Sequence, residues 1–288
     1  MTLSTTLWTL AATAAVGLGL AGCANSPAVE AGSGQLTPAS GQPTQEAGLA
    51  EGQTLRADVG QLPVTVLLPE GEGPFSMLIM LHGCNGLRRI TWDLWIRPWT
   101  GALRPHRIGV VVVDSFARRG IEQVCTGDVA GWAVRRAADV EAVREWLASQ
   151  PYVLPDRIAV LGMSNGGRTV LAALRGPGPR SGAGIRAGVA LYPGCQSDIA
   201  SQFHAPLLVL TGGDDTVAPP RYCEAMRDAQ RSGSAPVSLV VYPGALHSFD
   251  VALPRRRYLG MELGGDQAAA ADARSRVLRF LEANGIGD

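Results

Sequence analysis

Short runs of hydrophobic residues alternate with longer amphipathic segments from about residue 56 to the end of the chain. Seven of these runs consist largely of Val, Leu and Ile, which is typical of strands buried on both faces of a parallel sheet. They lie at residues 64–68, 77–81, 108–113, 158–161, 185–191, 206–210 and 237–241. Residues 128–149 and 268–284 instead repeat hydrophobic side chains at helical spacing. This alternation predicts an α/β fold, a doubly wound and mainly parallel sheet flanked by helices.

The N-terminal segment has a different pattern. Residues 7–21 are small and apolar, and the run is shorter than the ~20 apolar residues that a membrane-spanning helix needs. It ends in Leu20-Ala21-Gly22-Cys23, which resembles the lipobox of bacterial lipoproteins. We therefore expect a signal peptide at residues 1–22 and a lipid anchor at Cys23, which would hold the protein on a bacterial membrane. The alternative is an ordinary secretory signal in which Cys23 is incidental. Either interpretation predicts an exported protein of the cell envelope, facing the periplasm or the cell exterior.

Composition divides the rest of the chain. Residues 23–55 are rich in Gly, Pro, Ser and Gln, which predicts a flexible tether, and residues 56–288 are predicted to form one catalytic domain. The 25 basic and 25 acidic residues among 288 give a formal net charge of zero, which offers no electrostatic footprint for nucleic acid. About fourteen residues separate the fifth and sixth predicted strands, so we expect an open pocket without a large lid domain.

A candidate nucleophile follows the fourth predicted strand. Residues 158–161 run directly into Gly162-Met163-Ser164-Asn165-Gly166, and a short helix is predicted after it. Strand, tight turn and helix are the context in which the G-x-S-x-G pattern presents a reactive serine. A glycine-rich turn that merely holds a serine is the structural alternative, and the context favours a catalytic Ser164.

A serine hydroxyl needs a base, and chain order narrows the choice. In this fold the acid and then the histidine follow the nucleophile, which leaves His247 as the base. The acid should follow the strand at residues 206–210, where Asp214 and Asp215 are adjacent. The spacing within the turn favours Asp215, with Asp214 as the alternative. For the oxyanion hole we expect the backbone amide of Asn165 and one from Cys84 or Asn85.

Four motifs together resemble the dienelactone hydrolase family of α/β hydrolases. They are residues 81–86 with His82, residues 114–120 with two adjacent arginines, the serine turn, and residues 242–249 with His247. The chain departs from dienelactone hydrolases proper, which use a cysteine nucleophile where this sequence has Ser164. No glutamate near Cys84 matches the one that activates their thiol. The resemblance therefore implies a serine hydrolase of small or moderately sized carboxylic esters, working through an acyl-enzyme without a metal or cofactor.

Two other functions are compatible with the sequence. One is a serine peptidase of the prolyl-oligopeptidase type, and the other is a catalytically silent lipoprotein that binds at the cell surface. Arg118 and Arg119 are candidates for contacting an anionic substrate, although both could instead hold loop carbonyls or Asp114. We expect Trp92, Trp95 and Trp99 to pack in the core, and His82 to order the loop before Cys84. The sequence leaves the oligomeric state open.

The chain has five cysteines, an odd number for an exported protein. Once Cys23 is set aside as the lipid site, four remain. Their positions in loops after predicted strands favour Cys84–Cys125 and Cys195–Cys223, each bracing a loop at the active-site edge. Four reduced, buried thiols are the alternative.

Overall fold

The computed structural model of the protein describes residues 52–178, 184–195 and 202–288 and the backbone of Thr44–Gln45. The predicted signal peptide, residues 1–22, and the predicted lipid site, Cys23, lie outside these residues. Within the described part, no helix is both long and apolar enough to span a membrane.

A nine-stranded sheet forms the centre of the described part, in the order β1-β2-β3-β5-β4-β6-β7-β8-β9. Six neighbouring strands, β5 through β9 with β4 among them, pair in parallel, and β1, β2 and β3 add an antiparallel edge. The strands are β1 Thr44–Gln45, β2 Thr54–Val59, β3 Leu62–Leu67, β4 Phe75–Leu81, β5 Ile108–Val113, β6 Val153–Met163, β7 Gly188–Leu191, β8 Leu207–Gly212 and β9 Val237–Tyr242. A separate hairpin pairs β10, Arg256–Tyr258, with β11, Met261–Leu263.

Helices cover both faces of the sheet, as the sequence predicted. The helices are α1 Arg89–Thr91, α2 Arg97–Leu103, α3 Val129–Ala148, α4 Asn165–Ala173, α5 Pro220–Asp228 and α6 Gln267–Ala283. A π-helical turn, Trp92–Ile96, joins α1 to α2 without a break. Asp128 and Asp266 cap α3 and α6 by accepting hydrogen bonds from backbone amides of the first turn, which satisfies donors that would otherwise be unpaired.

Two hydrophobic clusters lie against the two faces of the sheet. Side chains of α3, α4 and α5, such as Val143, Val170 and Met226, pack in one cluster with alternate residues of the strands. Side chains of α2 and α6, such as Trp99 and Val277, pack in the other. Because the central strands are buried on both faces, their sequences are almost continuously hydrophobic. The doubly wound, mainly parallel fold predicted from the sequence is confirmed.

Three details differ from the sequence-based expectations. Residues 54–59 form an antiparallel strand that was not predicted, and Thr44–Gln45, inside the segment predicted to be a tether, pairs with it as the edge strand. The fifth predicted strand is shorter than expected, since β7 begins at Gly188. The β10–β11 hairpin was also not predicted, because each of its strands has only three residues and carries no hydrophobic run.

Truncation of a fully buried strand residue tests the described core. Leu161 on β6 is 0% exposed, so Leu161→Ala should lower the free energy of unfolding by about 2–5 kcal/mol, through lost burial and the cavity left behind. Leu259→Ala is the matched control, because Leu259 is 54% exposed and its truncation should change stability by less than about 0.5 kcal/mol. Urea denaturation measures both, and equal losses would contradict the core described above.

Candidate active site

Ser164 lies on the turn between β6 and α4, at the carboxyl edge of the parallel strands. Its backbone has φ 52° and ψ −115°, a region that residues with a side chain rarely adopt. Two backbone hydrogen bonds hold the turn: the Ser164 amide donates to Leu191 O at 2.9 Å, and Ser164 O accepts from the Arg168 amide at 2.9 Å. The side chain is partly exposed, whereas the residues that follow it in α4 are buried. The turn therefore presents the hydroxyl at the surface of a rigid element.

Glycines on either side of Ser164 allow a close approach of α4 to the sheet. A Cβ atom on Gly162 would lie 2.2 Å from Gly166 O, and one on Gly166 would lie 2.2 Å from Leu81 O. No side chain fits at these distances. The spacing of the G-x-S-x-G pattern thus follows from steric contacts between backbones.

A chain of two hydrogen bonds joins the three residues that the sequence singled out. His247 Nε2 lies 2.9 Å from Ser164 Oγ, and His247 Nδ1 lies 2.7 Å from Asp215 Oδ2. Because the carboxylate can only accept, the geometry places the ring proton on Nδ1 and leaves Nε2 to accept from the serine hydroxyl. His247 and Asp215 are each 3% exposed, so water has little access to either bond.

The two adjacent aspartates have different surroundings. Asp215 is buried, and its second oxygen, Oδ1, accepts hydrogen bonds from the amides of Val217 and Ala218, both at 2.8 Å. These bonds fix the carboxylate that faces the imidazole. Asp214 is exposed, and its backbone amide bonds to Ala245 O. The structure therefore brings Asp215, not Asp214, to His247.

Cys84, Asn85 and Ser164 line the same cavity, and Asn165 begins α4 beside it. The side chain of Asn165 points away from the cavity, where its Oδ1 accepts from Arg136 and its Nδ2 donates to Val129 O, each at 2.7 Å. These bonds fix the residue whose backbone amide is the predicted oxyanion donor. The N-terminus of α4 also carries a partial positive charge next to Ser164.

Behind this turn lies a buried pair of basic side chains. Arg136 on α3 is 0% exposed, and burial lowers its pKa to about 9. His82 is also fully buried, and its Nδ1 donates to Gly83 O at 2.8 Å. Burial, with a smaller contribution from the charge of Arg136, holds the pKa of His82 well below its usual value. The role in ordering the loop predicted for His82 matches this hydrogen bond.

On the other side of His247 lies a buried carboxylate, Asp250, which is 1% exposed. Its Oδ1 accepts from Tyr192 Oη at 2.8 Å, and its Oδ2 accepts from Trp99 Nε1 at 2.7 Å and from Trp95 Nε1 at 3.1 Å. Burial raises the pKa of Asp250, and the hydrogen bonds from Trp99 and Tyr192 partly offset that rise because they stabilise the charged form. The Tyr192 ring in turn packs edge-on against the His247 ring, with centroids 4.7 Å apart.

These two tryptophans lie in the core, as predicted, but their hydrogen bonds to Asp250 were not predicted from the sequence. Trp95 and Trp99 are buried at four-residue spacing across the π-helical turn, and Trp92 is partly buried. No local signal marks Asp250 as their partner, since it lies 155 residues after Trp95. Only its position three residues after His247 connects it to the site motif.

Both predicted disulfides are present. Cys84 pairs with Cys125, and both residues line the cavity beside Ser164. Cys195 pairs with Cys223 of α5, near the turn that carries Asp215. The Cys84 carbonyl also accepts from the Val124 amide at 2.8 Å, which further fixes the loop that holds Cys84 and Asn85.

Arg118 and Arg119 are engaged elsewhere. Arg118 pairs with Asp58, while Arg119 forms two 2.7 Å bonds to Asp139 and one to Ser115 O. Neither arginine belongs to the cavity lining. Both arginines thus form structural contacts, with Asp139 rather than Asp114 as the acidic partner of Arg119, and their contact with an anionic substrate stays a prediction.

The cavity next to Ser164 has a volume of about 290 Å³. Its walls are mainly hydrophobic, and its two arginines are Arg88 and Arg256. One wall comes from residues 88–95, and the other comes from residues 248–263, which include the β10–β11 hairpin. A backbone bond from the Gly264 amide to His247 O, 3.1 Å long, attaches this hairpin to the loop of His247. Among the described residues, no cluster of His, Cys, Asp and Glu has the arrangement to hold a metal ion.

Comparison with known proteins identifies the family. The sequence model of the dienelactone hydrolase family matches residues 117–285, more than half of the 288-residue chain. The chain belongs to the dienelactone hydrolase family. The matched segment of this family member contains Ser164, Asp215 and His247, whereas the loop with Cys84 and Asn85 precedes it.

Individual relatives share about one third of their aligned residues with this chain. A Salmonella typhimurium protein that bears the name carboxymethylenebutenolidase is 33% identical over 156 residues, which cover 50% of this chain and 52% of that protein. A Yersinia pestis protein of the same name is 31% identical over 218 residues, 68% of this chain and 77% of its own. This dienelactone hydrolase family member thus spans about half the length of the first curated relatives it matches.

A crystal structure of a protein from Klebsiella pneumoniae, described as a dienelactone hydrolase, superposes with a TM-score of 0.59 at 23% identity. The superposition covers 84% of this chain and 98% of that one. At this identity the likeness establishes the shared α/β-hydrolase fold alone. It agrees with the mainly parallel sheet and flanking helices described above.

The close packing at the serine turn can be tested with one methyl group. Gly166→Ala should lower the free energy of unfolding by about 1–3 kcal/mol, because the added Cβ collides with the backbone of β4. Gly101→Ala is the matched control, since a Cβ at that position would have no atom within 4 Å. It should leave stability unchanged or raise it by up to about 1 kcal/mol. Thermal or urea unfolding compares the two, and a tolerated Gly166→Ala would contradict the contact.

The Asp250 hydrogen bonds predict a second difference in stability. Tyr192→Phe removes one donor from a buried carboxylate and should lower the free energy of unfolding by about 1.5–3 kcal/mol. Tyr222→Phe provides the comparison, because its hydroxyl contacts only the exposed side chain of Arg221 in the described structure. Tyr222→Phe should change the free energy of unfolding by less than about 0.5 kcal/mol. Similar values for the two variants in urea denaturation would show that the Tyr192–Asp250 bond contributes little.

Proposed function

We propose that this family member is a serine hydrolase that cleaves carboxylic esters of small or moderate size through an acyl-enzyme. The observation that carries the proposal is the pair of hydrogen bonds that His247 forms, donating from Nδ1 to Asp215 at 2.7 Å and accepting at Nε2 from Ser164 at 2.9 Å. They end at a serine that opens onto a mainly hydrophobic cavity. Nucleophile, base and orienting acid have the mutual geometry that acyl transfer requires.

Each residue has one task in the proposed mechanism. Ser164 Oγ attacks the ester carbonyl carbon while His247 Nε2 accepts the hydroxyl proton, and Asp215 stabilises the imidazolium that forms. The amide of Asn165 and that of Cys84 or Asn85 donate to the oxyanion. His247 then donates its proton to the departing alcohol oxygen. Water attacks the acyl-enzyme with His247 as base again, which releases the acid and restores Ser164.

Two properties of the cavity support a small substrate. Its volume of about 290 Å³ lies at the lower end of the usual range for small-molecule sites, roughly 300–1,000 Å³. Its hydrophobic walls, which include Leu94, Met163 and Val251, fit the apolar part of an ester. A cyclic ester such as the one in the name carboxymethylenebutenolidase is within this size range. The serine in place of the cysteine of dienelactone hydrolases proper favours a broader ester hydrolase over that lactone alone.

The cellular placement is also a proposal. The lipobox-like end of the apolar N-terminal run supports export and a lipid anchor at Cys23. The two disulfides support an oxidising compartment such as the periplasm or the cell exterior, because the cytosol keeps most thiols reduced.

Hydrolysis of p-nitrophenyl acetate tests the catalytic assignment. We expect Ser164→Ala to abolish both hydrolysis and covalent labelling by a fluorophosphonate probe. Asp215→Asn should lower kcat by roughly 10⁴-fold, because the imidazole loses the acceptor that holds its reactive tautomer. The pseudo-first-order rates are measured at equal protein concentration, with the fold of each variant verified by circular dichroism.

Asp214→Asn is the matched control for Asp215→Asn, since the two residues are neighbours and only one contacts His247. It should keep activity within about threefold, in line with a surface substitution. Hydrolysis that survives Ser164→Ala would rule out the proposed nucleophile, and an equal loss in both asparagine variants would rule out the assigned acid. A panel of acyclic esters, lactones and prolyl peptides then separates esterase from peptidase activity.

A further inference from the structure

Arginine residues lie on two sides of the cavity mouth, which are called its flanks. One flank, residues 88–97, carries Arg88, Arg89 and Arg97, and the other, residues 255–263, carries Arg255, Arg256 and Arg257. These six residues form what we name the arginine rim. Two of its members, Arg88 and Arg256, line the cavity itself. The other four have side chains that are 70–94% exposed.

Few acidic residues balance this charge. On the two flanks only Asp93 and Glu262 are acidic. Asp93 lies 3.4 Å from both Arg89 and Arg97, and Glu262 lies 3.0 Å from Arg255 and 3.8 Å from Arg257. Six arginines minus two carboxylates leave a charge of +4 on a chain whose formal net charge is zero. The loop around Cys125, which also lines the cavity, carries the acidic residues Glu122 and Asp128.

Exposed hydrophobic side chains stand on the same two flanks. Ile90 is 44% exposed and Leu259 is 54% exposed, and they are two of the four large hydrophobic residues that are exposed in the described part of the chain. Leu259 occupies the turn of the β10–β11 hairpin, where its φ of 48° is outside the range usual for a side-chain-bearing residue. Ile90 belongs to α1 and lines the cavity mouth. Ile90 and Leu259 thus each lie near arginines in the sequence.

We propose that the arginine rim, with Ile90 and Leu259, docks the cavity mouth onto an anionic phospholipid surface. A guanidinium matches the geometry of a phosphate and forms two parallel hydrogen bonds with it. Basic residues next to an anionic leaflet gain attraction for each charge, and neighbouring apolar side chains enter the interface between headgroups and acyl chains. Docking in this orientation turns the cavity, and Ser164 inside it, towards the bilayer.

An extended surface explains the rim better than a single bound anion. Arg89, Arg97, Arg255 and Arg257 do not line the cavity, so a small solute inside it does not reach them. Cations spread over two flanks fit an array of phosphates. The inference depends neither on the ester chemistry nor on a lipid at Cys23, and its test has a readout that uses neither.

The test places a fluorescent probe on the hairpin of the full chain. Leu259→Cys is labelled with an environment-sensitive fluorophore, and Cys23→Ser in every variant removes the fifth cysteine, which is the predicted lipid site. The protein is mixed with vesicles of phosphatidylglycerol or of phosphatidylcholine, both containing a headgroup spin label that quenches nearby fluorophores. We expect quenching on phosphatidylglycerol, little on phosphatidylcholine, and loss of the effect in high salt.

Charge removal at the rim gives the quantitative result. Arg89→Gln with Arg257→Gln should lower the apparent affinity for phosphatidylglycerol vesicles about 25-fold, or about fivefold for each charge. Arg227→Gln with Arg231→Gln is the matched control. These residues lie on α5 and on the loop that leads into β9, at the amino ends of the strands, whereas the cavity lies at their carboxyl ends. The control double variant should leave the apparent affinity for phosphatidylglycerol vesicles unchanged.

The position of the probe gives a second control. A fluorophore on Ser232→Cys, an exposed site in the same distant loop, should remain unquenched on both kinds of vesicle. Quenching at residue 232 as strong as at residue 259 would overturn the proposed orientation. Equal quenching on the two lipids, or an equal loss of affinity in the two double variants, would overturn the role of the arginine rim. Ester hydrolysis in solution by the Arg89 and Arg257 variants is measured in parallel, so failure of the docking and failure of the proposed function are distinguishable.

Discussion

The backbone of Ser164 is the constraint on which the rest of the site depends. A residue at φ 52° and ψ −115° is strained by about 1–3 kcal/mol, and such strain persists only where the surroundings fix it. Here the fixing is done by the hydrogen bond to Leu191 O, by the first turn of α4, and by glycines that let α4 pack directly on the backbone of β4. The direction of the hydroxyl, the position of the Asn165 amide and the axis of α4 all follow from that single turn.

Two buried charges of opposite sign support the site from behind. Arg136 holds the side chain of Asn165, next to Ser164. Asp250 holds Tyr192, whose ring packs against His247. Removing a charge from water costs several kcal/mol, and hydrogen bonds and nearby charges compensate only part of it. In return, the positions of the site residues are fixed, because each charge connects a residue of the site to a helix or strand that is itself packed in the core. Their placement supports geometry that hydrophobic packing alone would leave less defined.

The parts of the site that the sequence revealed are those encoded by local patterns. Ser164 stands in a five-residue motif after a strand, and chain order then selected His247 and Asp215, which the structure brings together. Two disulfides followed from cysteines placed in loops at one edge of the sheet. These residues come together because the carboxyl ends of parallel strands meet at the same edge, so strand order fixes which loops are neighbours.

The remaining features depend on pairings between distant segments. Asp250 finds its tryptophan partners 151 and 155 residues away, and no spacing rule connects them. Arg118 and Arg119 follow a strand in a motif that suggested a substrate contact, yet Asp58 and Asp139 engage them. The chemistry of a side chain was readable from the sequence, but its partner was not, because the partner is determined by how the elements pack.

The segment that matches the family holds Ser164, Asp215 and His247 but only one of the two walls of the cavity. The three residues of the hydrogen-bonded chain lie within the segment that matches the family, residues 117–285. One wall of the cavity, residues 88–95, lies before that segment. The other wall includes the β10–β11 hairpin, which is attached to the His247 loop by a backbone hydrogen bond. A backbone bond constrains few of the hairpin's side chains. Substitutions in either wall therefore change the shape and charge of the cavity without moving Ser164, Asp215 or His247. Under the proposed function, we expect family members with different cavity walls to share the reaction and to differ in substrate, because loops on a common scaffold set the specificity.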